Sequence, residues 1–193
     1  MLDTRSIRND FPILQQQVHG NKSLVYLDSA SQKPNQVIDA LSNFYRNNNG
    51  GIHRGSHDLA ERATLEFEKA RLNVASFIGA TEKEIVFTKN ATESINLVSY
   101  ASAKAKNGSI LLDGEERFVL SVGDEILLTE MEHHANLVPW QELSLKTGAV
   151  LRFIPITDYG RLDLSNLDVL INEHTKIVSL VHQSNILATI NPV

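Results

Sequence analysis

Apolar and polar positions along this chain switch between two periods, and the switching outlines its elements. Residues 84–88, 125–129, 149–155 and 177–181 are short apolar runs that read as strands. Stretches of helical spacing separate them. One opens at Asn90-Ala91-Thr92-Glu93 and runs to about Lys106, one passes through Trp140 and Leu143 to a stop at Gly148, and a short one covers residues 164–170. The nearly continuous apolar run 177–181 has the pattern of a parallel strand buried on both faces. Strands exchanging with helices make βαβ units, so the expected class is α/β, a mostly parallel sheet with flanking helices.

The front of the chain is less regular. Residues 3–11 read as a helix stopped by Pro12, and residues 24–27 as a short strand. Val37, Ala40, Leu41, Phe44 and Tyr45 recur at helical spacing, and the run 47–51 of Asn and Gly breaks that helix through its tolerance of positive φ. A longer helix follows His57, with Ala63, Phe67, Ala70, Val74 and Phe77 on its expected buried face and Gly79 as its cap. Residues 1–56 are therefore expected to be an N-terminal segment and 57–193 the βαβ part of a larger domain. Residues 107–120 interrupt the rhythm and read as an inserted hairpin or surface excursion.

Composition narrows the function classes. The 193 residues are 42% hydrophobic, enough for one ordinary domain or a large piece of one. The formal net charge is −5 and basic residues are scattered, which gives no footprint for nucleic acid or an anionic membrane. There is no cysteine, hence no disulfide framework, Cys-zinc site or cysteine nucleophile within these residues. No apolar run approaches the ~20 residues of a membrane span, and the first residues lack the apolar core of a signal peptide. The expectation is a soluble, cytoplasmic protein.

Candidate chemistry gathers where ligands of open α/β sheets bind, beyond the carboxyl ends of strands. Asn90-Ala91-Thr92-Glu93 opens a helix whose free N–H groups favour an anion; the alternative, which the pattern alone favours, is that Asn90 or Thr92 is only an N-cap. Glu132-His133-His134-Ala135-Asn136 holds two adjacent histidines, suited either to a flat wall against an aromatic ligand or to satisfying backbone groups. No spaced His/Asp/Glu set supports a metal. His182-Gln183-Ser184-Asn185 offers donors at a third strand end. The loop 52–57 could hold an anion through Arg54, or be a solvated turn before a capped helix.

Taken in order, these segments resemble the Suf-type cysteine desulfurases of the class V aminotransferase family, which are pyridoxal-phosphate (PLP) enzymes of fold type I. The resemblance rests on Tyr26-Leu27-Asp28-Ser29-Ala30 with Ser31-Gln32-Lys33-Pro34, on His53-Arg54-Gly55 and His57, on Ala91-Thr92-Glu93-Ser94-Ile95-Asn96, on Met131-Glu132-His133-His134-Ala135-Asn136 with Pro139-Trp140, and on His182, Ser184-Asn185 and Asn191-Pro192. It implies that Ala91 and Thr92 bind the PLP phosphate, that His133 stacks on the pyridine ring, and that Asn185 meets the ring hydroxyl or the substrate. It places His53 and Ala30 in loops near substrate or the dimer interface. The family takes sulfur from L-cysteine, leaves alanine, and holds the sulfur as a persulfide for iron–sulfur cluster assembly.

The resemblance also implies what these residues lack. In the family, the aspartate facing the pyridine nitrogen, the Schiff-base lysine, the persulfide cysteine and the arginine for the substrate carboxylate all follow the matching segment. Lys89, near a strand end, is not placed opposite His133 by anything in the sequence. Ala91 stands where the family usually carries threonine, and Ala188 where it carries glycine, which strains the turn if φ is positive there. The expectation is a truncated desulfurase-like chain, inactive alone and of low stability. It would form a homodimer or pair with a missing C-terminal half. The alternatives are the front half of a split active enzyme, or a non-enzymatic module that binds an intact paralogue.

Overall fold

The computed structural model describes residues 2–27, 32–105 and 118–193. The chain divides into two compact units, Met1–Val86 and Phe87–Val193.

The first unit is helical. Helix α1 (Thr4–Asn9) is capped by Asp3, whose carboxylate accepts from the Arg5 and Ser6 N–H groups. The Arg8 guanidinium donates to the carbonyls of Leu14 and Leu24, 2.8 and 2.9 Å away, and so ties this helix to the chain after the hairpin β1 (Gln17–Val18) and β2 (Lys22–Ser23). Residues 24–27, expected as a strand, extend the hairpin by a single bond, from the Leu24 N–H to the Gln16 carbonyl at 3.2 Å, and form no ladder beyond it. A four-residue apolar run has no preference strong enough to make a strand where no neighbour supplies a ladder. Helix α2 (Asn35–Asn47) and helix α3 (Asp58–Ile78) follow. The break between them uses no positive φ at residues 47–51. Gly50 is required for a different reason: a Cβ there would lie 2.5 Å from the carbonyl oxygen of Leu59.

Helix α3 ends as expected, at Gly79 with φ 72°. Its expected buried face is only partly buried. Ala63 is fully enclosed and Phe67 is half-buried beneath the Arg71 guanidinium, whereas Phe77 is 90% exposed. The apolar stripe is real, but the described residues do not cover its C-terminal end. Thr81 then begins a capping box in which its N–H and hydroxyl both donate to Glu84, holding that carboxyl below its usual range.

The second unit is α/β. Helix α4 (Ala91–Ala105), strand β3 (Glu125–Thr129), helix α5 (Val138–Thr147), strand β4 (Val150–Ile154), helix α6 (Leu167–Leu170) and strand β5 (Thr175–Val178) build a parallel sheet in the order β4-β3-β5. The expected parallel sheet with flanking helices is thus present. Ile126 and Leu128 face a cluster with Leu120, Trp140, Leu143 and Ala149. Leu127, on the opposite face by the two-residue period, is equally buried. The strand buried on both faces is therefore β3. The run 177–181, also expected to be buried on both faces, begins in β5, which ends at Val178 and alternates between half-buried and exposed positions. Among the described residues β5 pairs only with β3, so one of its edges has no strand partner. Residues 84–88, expected as another strand, make no ladder either: Glu84 ends a 3₁₀ turn and 85–88 are unpaired in any sheet. Most of the expected insertion at 107–120 lies outside the described residues; Leu120, at its end, is buried in the core.

Gly148 closes α5 at φ 79°, and a Cβ there would lie 2.8 Å from the Val122 side chain, so a glycine is needed on two counts. No helix of the described residues is long and apolar enough to cross a membrane.

Candidate active site

The site is built on the carboxyl end of β3. Thr129, the last residue of that buried strand, turns its hydroxyl toward the loop that follows and donates to Glu132 Oε1 at 2.6 Å. The Val181 N–H, just beyond β5, donates to the same oxygen at 2.8 Å. Asn136 Nδ2 donates to the other oxygen, Glu132 Oε2, at 2.7 Å. Asn136 Oδ1 in turn accepts from the Trp140 indole N–H at 2.9 Å and from the Ser179 hydroxyl at 2.6 Å. A carboxylate and an amide thus join the ends of both strands to the start of α5. Each is half-buried and well supplied with partners, as enclosed polar groups must be.

His133 stands on this support. Its ring is exposed, and its Nδ1 accepts from the Ala135 N–H at 3.1 Å, capping the 3₁₀ turn His134–Asn136. An accepting Nδ1 leaves the proton of the neutral ring on Nε2. The His134 ring lies 5.9 Å away at 63°. Among the described residues no group of three or more His, Cys, Asp or Glu is arranged to hold a metal ion.

Helix α4 packs against α5 and against the 3₁₀ turn, with the buried Ser99 hydroxyl donating to the Pro139 carbonyl at 2.9 Å. Its first turn belongs to the same unit as His133. Asn90 Oδ1 accepts from the Glu93 N–H at 2.9 Å and the Asn90 carbonyl from the Ser94 N–H, so Asn90 is the N-cap. The N–H groups of Ala91 and Thr92 have no acceptor earlier in the helix and are the ones open to an anion.

The third cluster follows β5. Ser184 is buried and structural: its Oγ accepts from the Ile186 and Leu187 N–H groups. Asn191 is also buried, donating to the Val181 carbonyl at 2.7 Å. His182 and Asn185 are exposed. Ala188 has φ 57°, the left-handed conformation that L side chains resist. Ala188→Gly is expected to stabilise the second unit by about 1 kcal/mol, read as a higher urea midpoint, because the relief of a left-handed alanine exceeds the entropy a glycine loses.

A family model for aminotransferase class-V matches residues 25–193. The chain belongs to that family. The probable cysteine desulfurase of Streptomyces coelicolor is 53% identical over 196 residues, which cover 100% of this chain and 45% of that protein. The cysteine desulfurase of Haloferax volcanii is 45% identical over 207 residues, covering 100% of this chain and 46% of the relative. Among solved structures, the apo cysteine desulfurase of Thermococcus onnurineus matches with a TM-score of 0.82 at 36% identity, over 100% of this chain and 43% of that one. The chain is a cysteine-desulfurase-family protein of PLP fold type I that spans about half the length of the relatives it matches.

Within this family member, the structure brings the candidates Ala91, Thr92, His133 and Asn185 into one unit. His53 belongs to the other, and Ala30 lies outside the described residues. His53 adopts φ 57°, its N–H donates to the Thr64 hydroxyl, and its Nε2 meets Glu68 at 2.9 Å, while Glu68 also pairs with Arg71. In loop 52–57, His57 Nδ1 accepts from the Ala60 N–H and caps the start of α3. Sequence reasoning gave no role to Glu132, Asn136, Thr129 or Ser179. The only signal was the i, i+4 spacing of Glu132 and Asn136 beside the histidines.

Proposed function

We propose that this chain supplies the cofactor-facing front part of a Suf-type cysteine desulfurase, and that these 193 residues alone do not turn over L-cysteine. The observation that carries the reading is the exposed His133 imidazole, fixed by the Ala135 N–H at the carboxyl end of the buried strand β3. The donor set suits the non-covalent half of a PLP site. The N–H groups of Ala91 and Thr92 would take the phosphate, the His133 ring would stack on the pyridine, and the exposed Asn185 amide would meet the ring hydroxyl or the substrate. PLP, when bound, supplies an electron sink for chemistry at the amino-acid α-carbon. The chain's own part is to bind the phosphate and orient the ring.

Persulfide formation needs a thiolate, and these residues contain no cysteine. Proton transfer at the α-carbon needs a base within hydrogen-bond reach. Lys89 is a poor substitute: it lies in the turn before α4, where its backbone N–H donates to Glu93, and no contact among the described residues sets its ε-amine opposite His133. The missing groups would come from further sequence in the same protein, from a separate chain or from a second desulfurase. L-cysteine as substrate and iron–sulfur assembly as destination follow from this reading.

The test is a titration of the chain with PLP, followed by quenching of Trp140, the sole tryptophan, whose indole bonds to Asn136. Saturable quenching is expected. His133→Ala should weaken it by roughly three- to tenfold, the worth of one aromatic stack. Equal affinity in the variant would remove His133 from the cofactor site.

A further inference from the structure

We infer that Glu132 and Asn136 are a positioning pair that sets the orientation of the His133 ring and couples it to the end of β5. The claim about PLP affinity rests on the function proposed above; the claim about the ring does not.

His133 follows Glu132 directly, and its ring is held through the Ala135 N–H, inside the five-residue span 132–136 that Glu132 and Asn136 close by their 2.7 Å hydrogen bond. A short loop fixed at both ends has little freedom left between them. The two clamping side chains are in turn fixed from outside the loop. Thr129 holds Glu132 from β3, Trp140 holds Asn136 from α5, and the Val181 N–H and Ser179 hydroxyl reach each of them from the end of β5. The β5 contacts matter most for coupling. Val181 and Ser179 directly precede the segment carrying His182 and Asn185, so a shift of that segment is transmitted to Glu132 and Asn136, and through them to His133. Neither clamping side chain needs to touch a ligand.

The polarity of the clamp makes it testable by exchange. In Glu132→Gln, Oε1 can still accept from Thr129 and Val181, but the new amide N–H₂ meets the Asn136 N–H₂, donor against donor. In Asn136→Asp, Oδ1 can still accept from Trp140 and Ser179, but a carboxylate meets the Glu132 carboxylate. The double variant restores a donor facing an acceptor with the two roles reversed.

The experiment is ¹⁵N NMR of the His133 imidazole in the 193-residue chain without cofactor, at a pH where the ring is neutral, with PLP affinity and inorganic phosphate affinity measured alongside. The wild-type ring should show an accepting Nδ1 and a protonated Nε2. Each single variant should move the His133 signals toward a mixture of tautomers and weaken PLP by about tenfold, the loss of one charge-assisted hydrogen bond's constraint. Phosphate affinity should stay unchanged, and the double variant should restore both readouts. Ser179→Ala, which removes one outer contact and leaves the clamp's polarity alone, should move the same signals in the same direction and keeps the test open if a clamp variant does not fold. Unmoved His133 signals in the single variants or in Ser179→Ala, or single-variant shifts that the double variant fails to reverse, would overturn the inference. If the NMR pattern holds while wild-type chain binds no PLP, the clamp stands and the proposed cofactor role falls.

Discussion

Purified alone and supplied with PLP and L-cysteine, the 193-residue chain is expected to release no alanine above the rate of PLP free in solution. The reason is chemical. Desulfuration passes sulfur to a nucleophile, and the thiolate that takes up that sulfur as a persulfide has no counterpart in a chain without cysteine. Binding PLP does not cure this. In the proposed reading the N–H groups at α4 and the His133 ring hold the phosphate and the pyridine, and equal binding of ground and transition states does not accelerate the chemical step. The expected signature is cofactor binding without turnover, with alanine followed by amino-acid analysis. A second arm separates the alternatives. The portion of the Streptomyces coelicolor relative beyond the matched segment can be supplied in trans. Recovery of alanine release would favour a split enzyme, and its continued absence would favour a chain that only binds. Sustained release by the chain by itself would show that another of its side chains does the work of the missing groups.

How much of this was legible in the sequence depended on whether a residue's role is local. The N-cap at Asn90 and the left-handed stops at Gly79 and Gly148 were readable because a few neighbouring residues decide them, whereas the strain at Ala188 was readable only through the resemblance, which puts a glycine there. The βαβ rhythm and the strand 125–129 were readable because a buried strand needs an unbroken apolar run. Other readings failed where tertiary neighbours decide the outcome. Residues 24–27 and 85–88 have strand-like composition but no ladder, and Phe77 has the spacing of a buried residue but no cover. The double burial expected of 177–181 is not met among the described residues for the same reason: the run is apolar, and only strand order shows that β3 is central and β5 is at the edge. At the candidate site, His133 was legible as a motif letter. The support beneath it was not, because its bonds join residues more than 40 positions apart, Glu132 to Val181 and Asn136 to Ser179.

Leu128→Ala is expected to destabilise the second unit by roughly 2–5 kcal/mol, the range for truncating a fully buried leucine. Leu128 has no exposed surface and lies one residue before Thr129, in the central strand, where it packs among Trp140, Leu143 and Ala149. Relaxation into the resulting cavity is limited because β3 is hydrogen-bonded on both sides, to β4 and to β5. Stabilities of whole domains are only about 5–15 kcal/mol, and this sheet has three strands, so the loss takes up a large share. Urea unfolding followed by Trp140 fluorescence measures it directly, since that indole sits in the same cluster. Val178→Ala in β5 is the matched comparison. Its side chain is 47% exposed, so its removal should cost less than about 1 kcal/mol. A similar loss at both positions would mean that β5 is covered in solution by something other than the residues described. A negligible loss at Leu128 would mean that the β3 core does not hold this unit together. The candidate site would then lack the rigid base on which the fixed orientation of His133 depends.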